Sequence, residues 1–494
     1  MSEFQKLRGE LVAMAKYGSA VAVLDWDEQV YMPPAGRQFR GEVKALISAD
    51  LHRRFTSSEF VKLVKTLYEP KNFEKLSSDQ KVIVHETWRD LQKALKIPPE
   101  FVEEFSKLTT KAFGAWVEAR KISDFKIFQP YLQKIVAMKQ KEAQLVGFKD
   151  SPYDALLDDF EPKMTTRKLD GLFAPLASEL SILIKKVAVK KSPTLPKTKY
   201  PLEQQIKLNA EVAKILGYDL QAGRIDQSAH PFTTGFHPTD VRITTRYDEN
   251  DFYVSMGSVI HEAGHAMYEQ GLPAKEFGTP LGEAASLGIH ESQSRLWENF
   301  VGRSMEFCEF LYPLLKKHFK DIKYSAKDLH EWLNRVQPSL IRVESDETTY
   351  NLHIILRYQL ERALIENKLD VGELPEAWNA KMQQYLGINV PDAAHGVLQD
   401  VHWSYGSIGY FPTYSLGNVY AAQLFNQAKD DISELEAGFA KGKFNPFLQW
   451  LRKNIHQEGS RYYPEDLIKH ITGEGLNPVF LLNYLKEKSS SSKR

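Results

Sequence analysis

The stretch SVIHEAGHAMYEQG, Ser258 to Gly271, carries two of the chain's 14 histidines, four residues apart, with a glutamate directly after the first. On a helix, residues four apart stack on one face, so His261 and His265 point the same way, close enough to hold a single metal ion. Glu262 projects beside them, within reach of a water at that ion but not of the ion itself. This is the H-E-x-x-H arrangement of zinc peptidases, in which the imidazoles bind metal and the glutamate is the general base. A catalytic zinc also needs a third protein ligand and an open position. Glu291 stands 26 residues after His265, far enough for a Gly- and Pro-containing loop to return an antiparallel helix to the site. Glu283, in the loop or at the start of that helix, and Glu298, two turns further on, are its rivals. The competing account is a helical scaffold with a structural His pair. It predicts no stoichiometric metal and gives Glu262 and Glu291 no reason to be where they are.

The elements that must position these residues are readable around them. Ser255 or Ser258 is expected to cap the motif helix, and Gly271 with Pro273 to end it. Just upstream, DVRITTRYDENDFYVSM (Asp240 to Met256) alternates and is rich in β-branched and aromatic residues, with the turn-forming Asp248–Asn250 in its middle. It reads as a β-hairpin lying beside the motif helix. Elsewhere the pattern is helical. Pro98 and Pro99 open a segment in which Phe101, Phe105, Leu108, Ala112 and Trp116 recur at three- and four-residue steps, giving one apolar face. Similar patterns run from Leu169 to Val189 and from Asn299 to Phe319. The expected fold is mostly α, one domain over residues 1–494, with a small sheet next to the motif helix. The best lobe boundary is Val189–Gln205, with three prolines and several lysines, and residues 488–494 read as a flexible tail.

Composition narrows the function. Basic and acidic residues balance at 64 each, which argues against a nucleic-acid binder. The hydrophobic content of 43% fits a folded globular chain. The most apolar early segment, Ala20–Leu24, is too short to span a membrane, and the first residues lack the order of a secretory signal. One cysteine, Cys308, allows no internal disulfide and suits a reducing compartment. The expectation is a cytoplasmic protein with neither nucleic-acid nor membrane partners.

Several separated motifs resemble the M32 family of metallocarboxypeptidases. They are LDWDEQVYMPPAG (Leu24–Gly36), HPF (His230–Phe232), DVRIT (Asp240–Thr244), HEAGH (His261–His265), GIHESQSRLWEN (Gly288–Asn299), IRVESDETTYNLHIILR (Ile341–Arg357) and GVLQDVHWSYGSIGYFPTYSLGN (Gly396–Asn418). They run in order over nearly the whole chain; Ser345 stands where the family pattern has alanine. The resemblance implies a two-lobed helical body with a deep groove, a small sheet at its floor and a homodimer. It implies Glu291 as the third ligand, zinc or cobalt as the metal, and broad removal of C-terminal residues.

The chemistry expected of such a site follows from residue types. Glu262 takes a proton from water as the peptide carbonyl is attacked and passes it to the leaving amine. His230, His402, Tyr410 and Tyr414 are candidate oxyanion donors, and the sequence does not choose between them. Asp240 is a candidate to orient a zinc histidine through its other ring nitrogen; the alternative is a turn or cap residue before a strand. A carboxypeptidase must also recognise a free terminal carboxylate, costly to bury unless a cation meets it. Arginine offers a planar fork for two hydrogen bonds, and Arg342, within a family motif, is the candidate, with Tyr414 adding a donor. The alternative for Arg342 is an ion pair with Glu344 or Asp346. An endopeptidase on a similar fold would share the metal site and lack the carboxylate device.

Overall fold

The computed structural model describes residues 2–187 and 194–491. Helices dominate, and one small sheet lies against the motif helix. The apolar periodicities act as expected. Pro99–Ile122 is a helix with proline in its first turn, burying Phe101, Ala112, Trp116 and Ala119. Thr166–Val187 buries Leu169, Leu172, Phe173, Leu176, Leu180 and Ile184 on one face. Met305–His318 starts six residues later than the pattern suggests, because Asn299–Val301 ends a π-helical segment and Ser304 then caps the new helix through the Phe307 amide.

The sheet corrects the expected hairpin. Its strands are β1 (Ile225–Gln227), β2 (Thr233–His237) and β3 (Asp240–Thr245), in the order β1-β3-β2. The hairpin is therefore β2–β3, antiparallel, with Thr233 opposite Ile243 and a bulge between Gly235 and His237. Asp248–Asn250 turns no strand. It leads into the motif helix, Phe252–Glu269, whose N-cap is Asp251, accepting from the Tyr253 amide. Ser255 and Ser258 lie inside the helix instead. Ser255 donates to Gln205 Oε1 at 2.8 Å, and Ser258 Oγ is 2.6 Å from Thr245 Oγ1. The alternation from Phe252 onward is overridden by a stronger spacing. Phe252, Met256, Val259, Ile260, Ala263, Ala266 and Met267 are all buried, which only a helix turned into the core achieves.

Two cores are present. The large one takes in residues from Ala112 to Leu485. A small one joins Leu7, Leu11, Phe60, Val64, Leu67, Ile83, Val84 and Leu91 with Leu281. The expected boundary at Val189–Gln205 does not divide them: Leu180 and Ile184 before it, and Leu208 and Val212 after it, share the large core. Residues 189–193 of that stretch lie outside the described residues. At the C-terminus, Val479–Ser491 is a helix, and Lys488 pairs with Glu347 at 2.6 Å. The expected tail thus begins as structure, and residues 492–494 lie outside the described residues. No helix among the described residues is long and apolar enough to cross a membrane.

Candidate metal centre and substrate groove

A groove of about 1550 Å³ runs along the motif helix and the helix that returns to it, Leu287–Arg295. Two glycines let these elements meet closely. A Cβ on Gly264, inside HEAGH, would sit 2.6 Å from the Ser294 backbone, and one on Gly417 would sit 2.5 Å from Glu291 Cγ. Without side chains at both points, the return helix is held between two others, and Glu291 is pressed toward the histidines. Its N-terminus is fixed by Ser286, which accepts from Ile289 N, and by buried Glu161, which accepts from Gly288 N at 3.0 Å and from Tyr420 at 2.6 Å.

The result is a compact donor set. Glu291 Oε2 lies 3.3 Å from His265 Nε2 and 3.8 Å from His261 Nε2. The three residues offer ligand atoms all within 4.8 Å of one another, two imidazoles and a carboxylate, the donor chemistry that suits a divalent transition metal. Burial resists the ionisation of Glu291, but Arg295, at 2.6 Å, and the histidines hold its carboxyl well below the usual range. Glu262 stands apart from the set. Its Oε2 accepts from the Thr233 hydroxyl at 2.7 Å, so the first residue of β2 steadies it. Burial pushes its carboxyl above the ordinary value. Glu283 is not among the grouped donors, and Glu298 is placed behind them.

Each histidine is oriented through Nδ1, and by different partners. His261 Nδ1 lies 2.8 Å from Glu298 Oε2, and Glu298 is itself held by Arg295 at 3.0 Å and Arg303 at 3.2 Å. His265 Nδ1 lies 2.6 Å from His290 Nδ1, whose Nε2 lies 2.7 Å from Glu269 Oε1. A carboxylate only accepts, so His290 donates from Nε2 and accepts at Nδ1. His265 must then donate from Nδ1, which leaves its Nε2 lone pair facing Glu291. Asp240 has no part in this. Its carboxylate is taken by Arg242 at 2.8 Å, and both motif imidazoles have other partners at Nδ1.

A second buried cluster borders the groove. Arg342, 6% exposed, directs Nε and Nη2 at Asp400 Oδ1 at 3.0 and 2.8 Å and Nη1 at Tyr350 Oη at 3.0 Å. Arg357 Nε reaches Asp400 Oδ2 at 2.7 Å. Glu344 and Asp346, the partners considered from sequence, do not take this part: Asp346 caps the helix Glu347–Ile365. Burial works against the Asp400 charge, but the two arginines hold its carboxyl far below the usual range. Burial also pushes His402 down to about 4 and His353 well below its ordinary value, so both are neutral. His230, Tyr410 and Tyr414 line the groove, while His402 sits behind, its Nε2 3.2 Å from Tyr414 Oη.

A model of the carboxypeptidase Taq (M32) metallopeptidase family matches residues 6–489. The chain belongs to the M32 metallopeptidase family. Carboxypeptidase 1 of Bacillus subtilis is 42% identical over 490 residues, 97% of each chain. Thermostable carboxypeptidase 1 of Thermus thermophilus is 41% identical over 499 residues, 98% of this chain and 97% of the other. Among solved structures, the M32 carboxypeptidase of Deinococcus radiodurans superposes with a TM-score of 0.96 at 36% identity, over 99% of both chains. Metallocarboxypeptidase 1 of Trypanosoma cruzi gives 0.95 at 36%, with the same coverage. This M32 chain is thus a metallocarboxypeptidase, a peptide hydrolase that uses a divalent metal, and His261, His265 and Glu291 form a set that fits one.

Sequence reasoning missed several residues of the M32 site. Glu298 was weighed only as a ligand, and its place at i+7 from Glu291 signals a shared helix face. His290 and Glu269 gave no signal without the helix pairing. Asp400 and Arg357 lay inside quoted motifs, but their meeting with Arg342 joins three chain segments.

Proposed function

We propose that this M32 enzyme removes C-terminal residues from peptides with broad specificity, with zinc as its working metal and cobalt able to replace it. The observation that carries the terminal preference is the charge imbalance beside the groove. Arg342 and Arg357 share one carboxylate, Asp400, and the neighbouring histidines are neutral. Burying an unbalanced cation is costly, and a substrate's α-carboxylate supplies the missing anion. Tyr350 and Tyr414, packed against the Arg342 guanidinium, complete a donor-rich pocket for it, with Tyr410 beside Tyr414.

When bound at His261, His265 and Glu291, zinc supplies Lewis acidity, polarising a peptide carbonyl and bringing the pKa of water to about 7 in well-studied sites. Glu262, held by Thr233 and made more basic by burial, accepts the proton of the attacking water and returns it to the leaving amine. Tyr410, Tyr414 and His230, lining the groove, are the candidate donors to the developing oxyanion. Glu298 and His290 keep both imidazoles in the tautomer that presents Nε2.

The enzyme acts as a homodimer in the cytoplasm, on this reading. The helices Glu3–Val30 and Arg37–Phe55 support the first part: the second buries none of its residues and leaves Phe39 and Leu46 about 70% exposed. The single, buried, unpaired Cys308 supports the second. The deciding experiment compares one peptide with a free acid and with an amide at its C-terminus. The free acid should be cut far faster, and Arg342→Ala should weaken its cleavage by about 2–5 kcal/mol, the range for losing one partner of a buried charge pair. Rapid cleavage of amidated or end-blocked peptides would favour an endopeptidase.

A further inference from the structure

The helix Glu347–Ile365 buries a carboxylate that neither the metal set nor the carboxylate anchor uses. Glu361 is 0% exposed. Arg357 lies near it, yet among the described residues no ion pair joins the two. Three donors converge on Glu361 instead. Trp403 Nε1 donates to Oε1 at 2.8 Å, and the Tyr153 hydroxyl and the Gly409 amide donate to Oε2 at 2.7 and 3.1 Å. A carboxylate only accepts, so it can serve all three at once. Burial pushes the carboxyl up to about 7. A proton on it need only reverse the Tyr153 bond, since a hydroxyl accepts as well as donates. The bonds to Trp403 and Gly409 stand in either state.

Trp403 and Gly409 stand at the two ends of one short loop. It opens as the 3₁₀ turn His402–Tyr405 and closes just before the helix Pro412–Asp431. Two glycines let it lie close to its neighbours. Gly406 and Gly409 have φ of +71° and +98°, a region costly to any residue with a Cβ. A Cβ at Gly406 would also collide with the Phe105 ring, and one at Gly409 would stand 2.9 Å from the Leu156 carbonyl oxygen. Tyr410 follows Gly409 directly and lines the groove. Its ring meets Phe160 edge-on at 5.3 Å and Tyr414 at 5.4 Å. Burial and the Glu291 charge raise its hydroxyl above the ordinary value, so it keeps a proton to donate. Tyr414 differs, since its hydroxyl lies 3.2 Å from His402, behind the groove.

We infer that Glu361 is a positioning residue: by holding Trp403 and Gly409 on one carboxylate, it fixes the turn that presents the Tyr410 hydroxyl to the scissile carbonyl. The inference rests on the reading of Tyr410 as an oxyanion donor and deepens it. Glu361 touches no metal ligand. Its action passes through the backbone at Gly409, one residue before the hydroxyl that acts.

The test uses the zinc-loaded enzyme and one free-acid peptide. Tyr410→Phe should lower kcat by about 100-fold, the lower end for losing one oxyanion donor. Glu361→Gln keeps the size but has a single oxygen, so its amide NH2 must face the Trp403 or the Gly409 donor. Its kcat should fall by about 10-fold or more, as a small misplacement at the reacting bond requires. KM and bound zinc should stay nearly unchanged, because the Arg342 anchor and the metal set keep their partners. In the double variant, kcat should match that of Tyr410→Phe to within about 2-fold, since the second change has nothing left to displace. Tyr153→Phe removes a bond to the same carboxylate from outside the loop. It should lower stability to chemical denaturation and leave kcat within about 2-fold of the wild type. Trp403→Phe deletes only the donor to Oε1; it should give the pattern of Glu361→Gln at smaller size, and it carries the test if that variant does not fold. A Tyr410→Phe enzyme that turns over normally strikes the donor reading and the inference with it. Additive losses in the double variant, a loss that falls on KM, or an equal fall in kcat for Tyr153→Phe overturns the positioning role alone.

Discussion

The two buried clusters beside the groove are opposite in charge. At the metal set, Glu291 and Glu298 pair with Arg295 and Arg303 while Glu262 stands beside them bonded to Thr233, three carboxylates against two guanidiniums. At the anchor, Arg342 and Arg357 both ion-pair with Asp400, two guanidiniums on one carboxylate, while burial pushes the carboxyl of Glu361, near Arg357, up to about 7. Each is short of one partner, and the partners differ in sign: a cation for the first, an anion for the second. Buried charges are tolerated when paired, so each cluster is built to be completed by something that arrives. A peptide's terminal carboxylate and its last carbonyl are close together, and the clusters lie on one groove through Tyr350, which touches both Arg295 and Arg342.

The largest effect is expected when the base or a ligand is removed from the first cluster. Glu262→Gln keeps the size and the Thr233 contact but cannot take a proton. Turnover should fall by at least ~100-fold, with bound zinc, measured by metal analysis, nearly unchanged. Glu291→Ala should instead lose metal and activity together, and chelation of the wild type should mimic it, reversed by zinc or cobalt. A Glu262→Gln enzyme that turns over normally would end the proposed role of that residue.

At the second cluster the expected effect is somewhat smaller and falls on substrate recognition. Asp400→Asn keeps the shape but leaves two buried arginines sharing no carboxylate. The fold should lose a few kcal/mol, of the order seen when one partner of a buried pair is removed, measurable by chemical denaturation. A free-acid peptide should partly restore that loss, since it binds the native state and supplies an anion. Its amide should not. Equal stabilisation by acid and amide would show that the cluster does not read the carboxylate.

These clusters also differ in how much of them a sequence displays. His261, Glu262 and His265 fall within one turn and a half of a single helix, where spacing alone fixes direction. Glu291 follows because the loop before it has room for one antiparallel return. The close approach of the helices at Gly264 was not legible, since it depends on the backbone of Ser294 across the interface. The sheet was foreseen beside the motif helix but one strand too late: Tyr253 and Val254 alternate with Phe252 and Ser255 as a strand would, and only the run from Met256 to Met267 shows that a helix has begun. Asp240 was judged by its residue type, and nothing in the sequence says that Arg242, two residues on, takes its carboxylate. Arg342 was singled out, but its partner Asp400 lies 58 positions on, and pairing over that distance is a property of the packed core.

The smallest effects concern the residues behind the imidazoles, and they separate the two histidines. His261 leans on a carboxylate, Glu298, that is itself fixed by two arginines. His265 leans on a neutral imidazole, His290, whose proton position is set by Glu269. A carboxylate raises the basicity of the imidazole it accepts from more than a neutral ring does. Glu298→Gln should therefore weaken zinc affinity by about 10–100-fold, the usual range for such partners. His290→Gln can still accept from His265 through its amide oxygen and should sit at or below the lower end of that range. Asp240→Asn, at a carboxylate bonded to Arg242 and to neither imidazole, should change affinity by less than about 2-fold. Competition with a chromophoric chelator measures all three on purified protein without reference to catalysis. If Asp240→Asn weakened zinc as much as Glu298→Gln, the assignment of orienting partners made from the 2.8 Å contact between His261 and Glu298 would be wrong. If His290→Gln exceeded Glu298→Gln, the imidazole chain through Glu269 would be the stronger of the two supports.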